Sequence, residues 1–108
     1  MSQSVEKHLP KQEWHKDELS PNQLSTVRAF YHRTQELDLT EWTSDTFRQQ
    51  GYDIYLASNM EIGTVFGLIK RFHWARQIGE KPSEIVSSHS RKIDILEWTE
   101  RGKEVLSR

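Results

Sequence analysis

A chain of 108 residues has room for one domain, and with 34% hydrophobic against 29% charged residues its core must be small, sealed largely by four Trp, four Phe and three Tyr. The absence of cysteine excludes disulfides and thiolate metal sites, no apolar run approaches the roughly 20 residues of a membrane span, and the opening MSQSVEKHLPKQEW lacks the apolar middle of a signal peptide, so a cytoplasmic location is expected. The net charge of −1 argues against a generic polyanion binder, yet residues 59–92 carry six basic side chains against three acidic ones while the stretches on either side are acidic, which suggests one face turned toward an anionic partner.

Residues 1–19 show no sustained apolar period and read as a flexible polar tail, with Trp14 as a lone aromatic. Residues 20–108 read as the domain. Ser20, Pro21 and Gln23 form a helix start: a cap, a proline suited to the first turn, and a capping-box partner three residues on. Leu24, Val27, Phe30, Tyr31 and Thr34 then repeat at helical spacing to about Gln35. Leu37 to Thr43 alternates over a short stretch and predicts an extended connector or a brief strand. Thr43 or Ser44 caps a short second helix, Asp45 suits its positive end, and Gly51 marks where it stops. Residues 52–56 are open between continued helix and an apolar turn.

Ser58 or Asn59 caps the third helix, about 59–74, in which Ile62, Val65, Phe66 and Ile69 form the clearest amphipathic pattern of the chain. Beyond Trp74 the pattern changes to Ala75–Gly79, a polar stretch with Pro82 and four Ser, and an alternating segment from Lys92 to Trp98, which together predict a hairpin with a long loop. Thr99 caps a last short helix running to Leu106.

This order gives an α+β fold, mostly α: a three-helix core, a β-hairpin and a short C-terminal helix. Its ending, Trp98-Thr99-Glu100-Arg101-Gly102-Lys103-Glu104-Val105-Leu106, resembles the Leu-Thr-x-x-Gly-x-x-x-Leu pattern with which many winged helix-turn-helix regulators close their wing, Trp98 standing where an aliphatic residue is usual. The resemblance implies that the third helix enters the major groove of double-stranded DNA while the wing, about 81–92, reaches the backbone or minor groove. Candidate DNA-binding residues are then Asn59, Thr64, Gly67, Lys70 and Arg71 on the helix, and Lys81, Ser88, His89, Arg91 and Lys92 on the wing. Thr64, Gly67 and Arg71 share one strip, where Arg71 suits guanine or phosphate and Thr64 a base edge.

Gly63 and Gly67 inside a helix cost about 1 kcal/mol each relative to Ala, so a close approach is expected, either to DNA or to the first or second helix. The five His residues are scattered, no nucleophile with base and acid assembles, and no Gly-rich phosphate loop precedes a helix, so neither an enzyme nor a cofactor is expected. The remaining aromatics, including Tyr52, Tyr55 and Phe66, read as core. The expected role is transcription regulation. Leu68 and Trp74 on an outer face of the third helix would instead suit a protein-contact module, and a replication or recombination factor is a further alternative. Trp14 with the first helix offers spare apolar surface for a homodimer.

Overall fold

The computed structural model describes residues 18–85 and 91–108. Among them are four α-helices and one antiparallel hairpin: α1 (Pro21–Glu36), α2 (Ser44–Gln49), a 3₁₀ turn (Tyr52–Tyr55), α3 (Asn59–Arg71), β1 (Ala75–Pro82), β2 (Lys92–Trp98) and α4 (Glu100–Leu106). No helix of the described residues is long and apolar enough to cross a membrane.

Each helix starts on the side chain that its sequence offers. The Ser20 hydroxyl accepts from Gln23 N while the Gln23 side chain accepts from Ser20 N, closing the capping box. Thr43 does the same for α2 with Thr46, Ser58 caps α3 by accepting from Glu61 N, and Thr99 caps α4 by accepting from Gly102 N. The helix ends are less conventional. Asp38, Gly51 and His73 all take positive φ, at 56°, 85° and 63°. After α1, Asp38 N donates to Gln35 O and Leu39 N to Thr34 O; after α3, His73 N donates to Lys70 O and Trp74 N to Ile69 O. Both are the paired bonds of a Schellman cap, which satisfy the last carbonyls but normally call for Gly at the left-handed position. Aspartate tolerates that conformation better than most residues.

The core is aromatic. Phe30 of α1 meets Trp42 and Phe47 edge-on at 5.2 and 5.1 Å, and Trp98 of β2 lies 4.4 Å from Trp42 and 5.4 Å from Tyr31. Such pairs add about 0.5–1.5 kcal/mol each beyond the area they bury. Trp98 also donates its indole N–H to the buried Thr34 hydroxyl at 2.9 Å, and Thr34 in turn donates to Tyr31 O, so the polar edge of the ring is satisfied inside the core. The expected connector supplies one bridge rather than a strand: Trp42 and Leu96 exchange backbone bonds of 2.9 and 2.8 Å.

Several expectations are corrected. Tyr55 is 56% exposed rather than core, because the 3₁₀ turn carries it past the edge of α1, where its carbonyl accepts from Asn22. Leu68 is only 3% exposed, so it offers no open apolar surface, and Trp74 is half-buried against the core. The third helix stops at Arg71, three residues short of the expected end, because the His73 turn closes it. The first strand extends through Lys81 and Pro82, which the sequence placed in the loop; proline is tolerated because its pair with Lys92 needs no N–H from residue 82, the ladder bond falling one residue on, from Ser83 N to Arg91 O. Leu19 already packs against the core, one residue ahead of the expected start of the domain, while Trp14 lies outside the described residues.

Candidate nucleic-acid interface

The hairpin sets the geometry of the site. Its side chains alternate between faces, and Trp98 and Leu96 fix the inward face by entering the core. Asp94 and Lys92 continue that same face outward, beyond the core, where they stand opposite α3. A slip in register between Gln77 and Gly79 puts Ile78, 45% exposed, outside the ladder and lets the far half of β1 keep its pairing with β2.

The far half is held by a buried carboxylate. Asp45, on the first turn of α2 and 4% exposed, accepts from the Ser83 hydroxyl at 2.8 Å and from Glu84 N at 2.6 Å. Its place on that first turn also sets its negative charge against the positive end of the helix. Ser83 N donates to Arg91 O at 2.8 Å and closes the ladder just before the loop. These bonds aim the hairpin so that a cleft of about 550 Å³ opens between α2, α3 and β2.

Among the described residues four basic ones line the cleft: Arg48 from the last turn of α2, Lys70 from the last turn of α3, and Arg91 and Lys92 from the hairpin. Its floor is α3, with Asn59, Gly63 and Gly67. The Arg48 guanidinium donates to Asn59 Oδ1 at 3.1 Å, which ties the two helices at the cleft mouth. Lys70 Nζ lies 2.7 Å from Asp94 Oδ2, with both side chains about one-third exposed, so the pair adds under about 1 kcal/mol to the fold. Asp94 is the one acidic residue among the described residues of the lining.

The ten residues expected at the interface are thus only partly gathered. Asn59, Gly67, Lys70, Arg91 and Lys92 line the cleft. Thr64 and Arg71 share a second, shallower depression of about 180 Å³ with Gly63, Gly67 and Leu68 on the other flank of α3, so the two glycines form the divide between the hollows. The Thr64 hydroxyl donates back to Met60 O at 3.1 Å. Lys81 is not brought to the cleft. It pairs with Ile93, projects from the opposite face of the hairpin, and lies 3.4 Å from Glu84 in a hollow that Glu41 and Asp45 also line. Ser88 and His89 lie outside the described residues.

Arg48 is the basic cleft residue that sequence reasoning missed, as Asp94 is the acidic one. Arg48 sits in an acidic stretch of the chain, and only the packing of α2 across α3 carries it to the basic region. The expectation that Gly63 and Gly67 admit another helix is corrected, since a Cβ built on either meets nothing within 4 Å. Gly102 is the glycine that packing requires: a Cβ there would overlap the backbone of Trp74. Thr99 completes this joint by donating to His73 O and by receiving Gly102 N, while Leu106 is fully buried, so the Thr-x-x-Gly-x-x-x-Leu pattern fastens α4 and β2 to the end of α3.

Among the described residues no group of three or more His, Asp or Glu is placed to hold a metal ion. Comparison with protein-family models, with curated proteins and with solved structures gives no match for this chain.

Proposed function

We propose that this chain is a winged helix-turn-helix protein that binds double-stranded DNA and serves as a transcription regulator, with no catalytic role. The observation that carries this reading is the cleft in which Arg48, Lys70, Arg91 and Lys92 converge from three separate elements around the exposed face of α3. Three independent elements supplying cations to one concave surface favour an anionic polymer that spans all of them. A duplex fits this arrangement: α3 enters the major groove with Asn59 and Thr64 toward base edges, while Arg91, Lys92 and Arg48 meet phosphates on either side. Lys70 and Arg71, in the last turn of α3, stand where that helix leaves the groove.

The test is fluorescence anisotropy of a mixed-sequence duplex at roughly 50 and 200 mM salt, because phosphate contacts weaken steeply over that range. Binding by the native protein and its loss in Arg48→Glu/Lys92→Glu, with an unchanged melting profile, is the expected result. Equal affinity of the folded double variant would overturn the proposal.

A second reading has its own support. Ile54, Tyr55 and Met60 are 75%, 56% and 83% exposed beside the start of α3, and surface of this kind suits a protein partner. Under that reading the winged helix is a protein-contact module, and no duplex binding is seen at low salt. A homodimer reading two half-sites is compatible with the leading proposal, and light scattering with and without duplex measures it.

A further inference from the structure

The cleft proposed to meet DNA contains its own anion. Asp94 projects from the inward face of β2 between Lys92 and the core, and its carboxylate lies 2.7 Å from Lys70 Nζ. A phosphate entering the cleft would compete with that carboxylate for the same ammonium group and would meet its charge at close range. The Lys70–Asp94 pair is partly exposed and therefore adds little to the fold, and among the described residues no buried donor bonds to the Asp94 carboxylate. Its place is nonetheless fixed, because β2 is in register with β1 and anchored by Leu96 and Trp98.

We infer that Asp94 is an internal counter-charge that restrains indiscriminate attachment of the cleft to phosphate backbones. This rests on the duplex-binding reading above. Free of ligand, Asp94 occupies Lys70; on a non-specific duplex, the gain from phosphate contact is offset by separating that pair and by repulsion from the carboxylate. Only a site that also supplies favourable base contacts to α3 overcomes both terms. A carboxylate at such a position can itself accept from the exocyclic amine of cytosine, which a backbone contact cannot offer. The result is discrimination by repulsion of the wrong surface as well as attraction of the right one.

The experiment compares the native protein, Asp94→Asn and Glu97→Gln on one mixed-sequence duplex over a series of salt concentrations. Glu97 lies on the opposite face of the same strand, paired with Arg76, so its loss changes the net charge by the same amount away from the cleft. The expected result is that Asp94→Asn binds severalfold more tightly at low salt, with the slope of log affinity against log salt steeper by about one, as for one additional lysine released to phosphate, while Glu97→Gln stays with the native protein. Melting curves of both variants confirm that each is folded. Equal or weaker binding by Asp94→Asn would overturn the inference while leaving the duplex reading intact, and so would an equal gain from Glu97→Gln, which would assign the effect to net charge alone. Failure of the native protein and of both variants to bind any duplex would remove the duplex reading and this inference with it.

Discussion

The two ends of the hairpin are built on different physics. At the near end, Ala75, Leu96 and Trp98 are buried, Trp42 bridges to β2, and the Trp74 backbone is clasped between Thr99 and Gly102. At the far end, Lys92, Asp94, Ser83 and Arg91 are held by polar groups: the Asp45 carboxylate, the end of the β1–β2 ladder with its closing Ser83–Arg91 bond, and the Lys70–Asp94 pair. Apolar packing is close to all-or-none and leaves little choice of side chain, whereas polar contacts at a wet surface exchange readily with water or with a ligand. The near end therefore fixes where the hairpin starts, and the far end presents charge that a partner can use.

The sharpest way to break this contrast lies at the near end. Gly102→Ala places a methyl group against the backbone of Trp74, which cannot yield without moving the joint between α3, β1 and α4. The expected cost is about 3 kcal/mol, the upper part of the range for overpacking, read as a lowered midpoint in chemical denaturation. A variant as stable as the native protein would show that the joint is loose and would remove the rigid base on which the far end depends.

Asp45→Ala tests the far end with a smaller effect. It removes the acceptor for the Ser83 hydroxyl and for Glu84 N, both placed beside a buried carboxylate, and leaves those donors in want of partners. The expected loss is about 2 kcal/mol of stability, in the range for orphaned buried groups. Hydrogen exchange sharpens the comparison: protection should fall at Ser83 and Glu84 and be retained at Leu96 and Thr99, whose amides donate to Trp42 O and Trp74 O at the near end. Uniform loss along both strands would mean that the hairpin unfolds as one unit and that its two ends are not independent.

Legibility in the sequence follows the same division. The helix starts were readable because Ser20, Thr43, Ser58 and Thr99 each carry a hydroxyl that caps locally, and such bonds need nothing from the rest of the chain. The helix ends were less so, since Asp38 and His73 adopt the left-handed conformation that a reader looks for at Gly or Asn, and only the paired carbonyl bonds disclose them. Burial on the amphipathic helices was legible where the period was clear, but not at Leu68 or Tyr55, whose exposure depends on which neighbour lies across from them. Of the cleft, the basic residues local to α3 and the hairpin could be found from charge density. Arg48 could not, because its approach to Asn59 spans two helices whose crossing no local pattern encodes. Lys81, expected beside these basic residues, lies off the cleft, because counting charge along the chain leaves out the period-two alternation that turns it away from Lys92.

Gly67→Ala carries the smallest expected effect and the opposite sign to Gly102→Ala. A Cβ at Gly67 meets open space, its backbone is ordinary helix, and alanine is about 1 kcal/mol more favourable there, so the variant should melt higher than the native protein. A lower melting point would reveal packing across α3 that the open divide between its two hollows does not contain. With stability raised, the duplex titration gains a clean second reading, because any loss of affinity cannot then be ascribed to a damaged fold. Retained affinity would confine the ligand's contacts to the charged side chains that flank the helix, as expected if the far end of the hairpin and Arg48 provide most of the attraction. Reduced affinity would place the ligand directly against the backbone of α3, where a single methyl group is enough to hold it away.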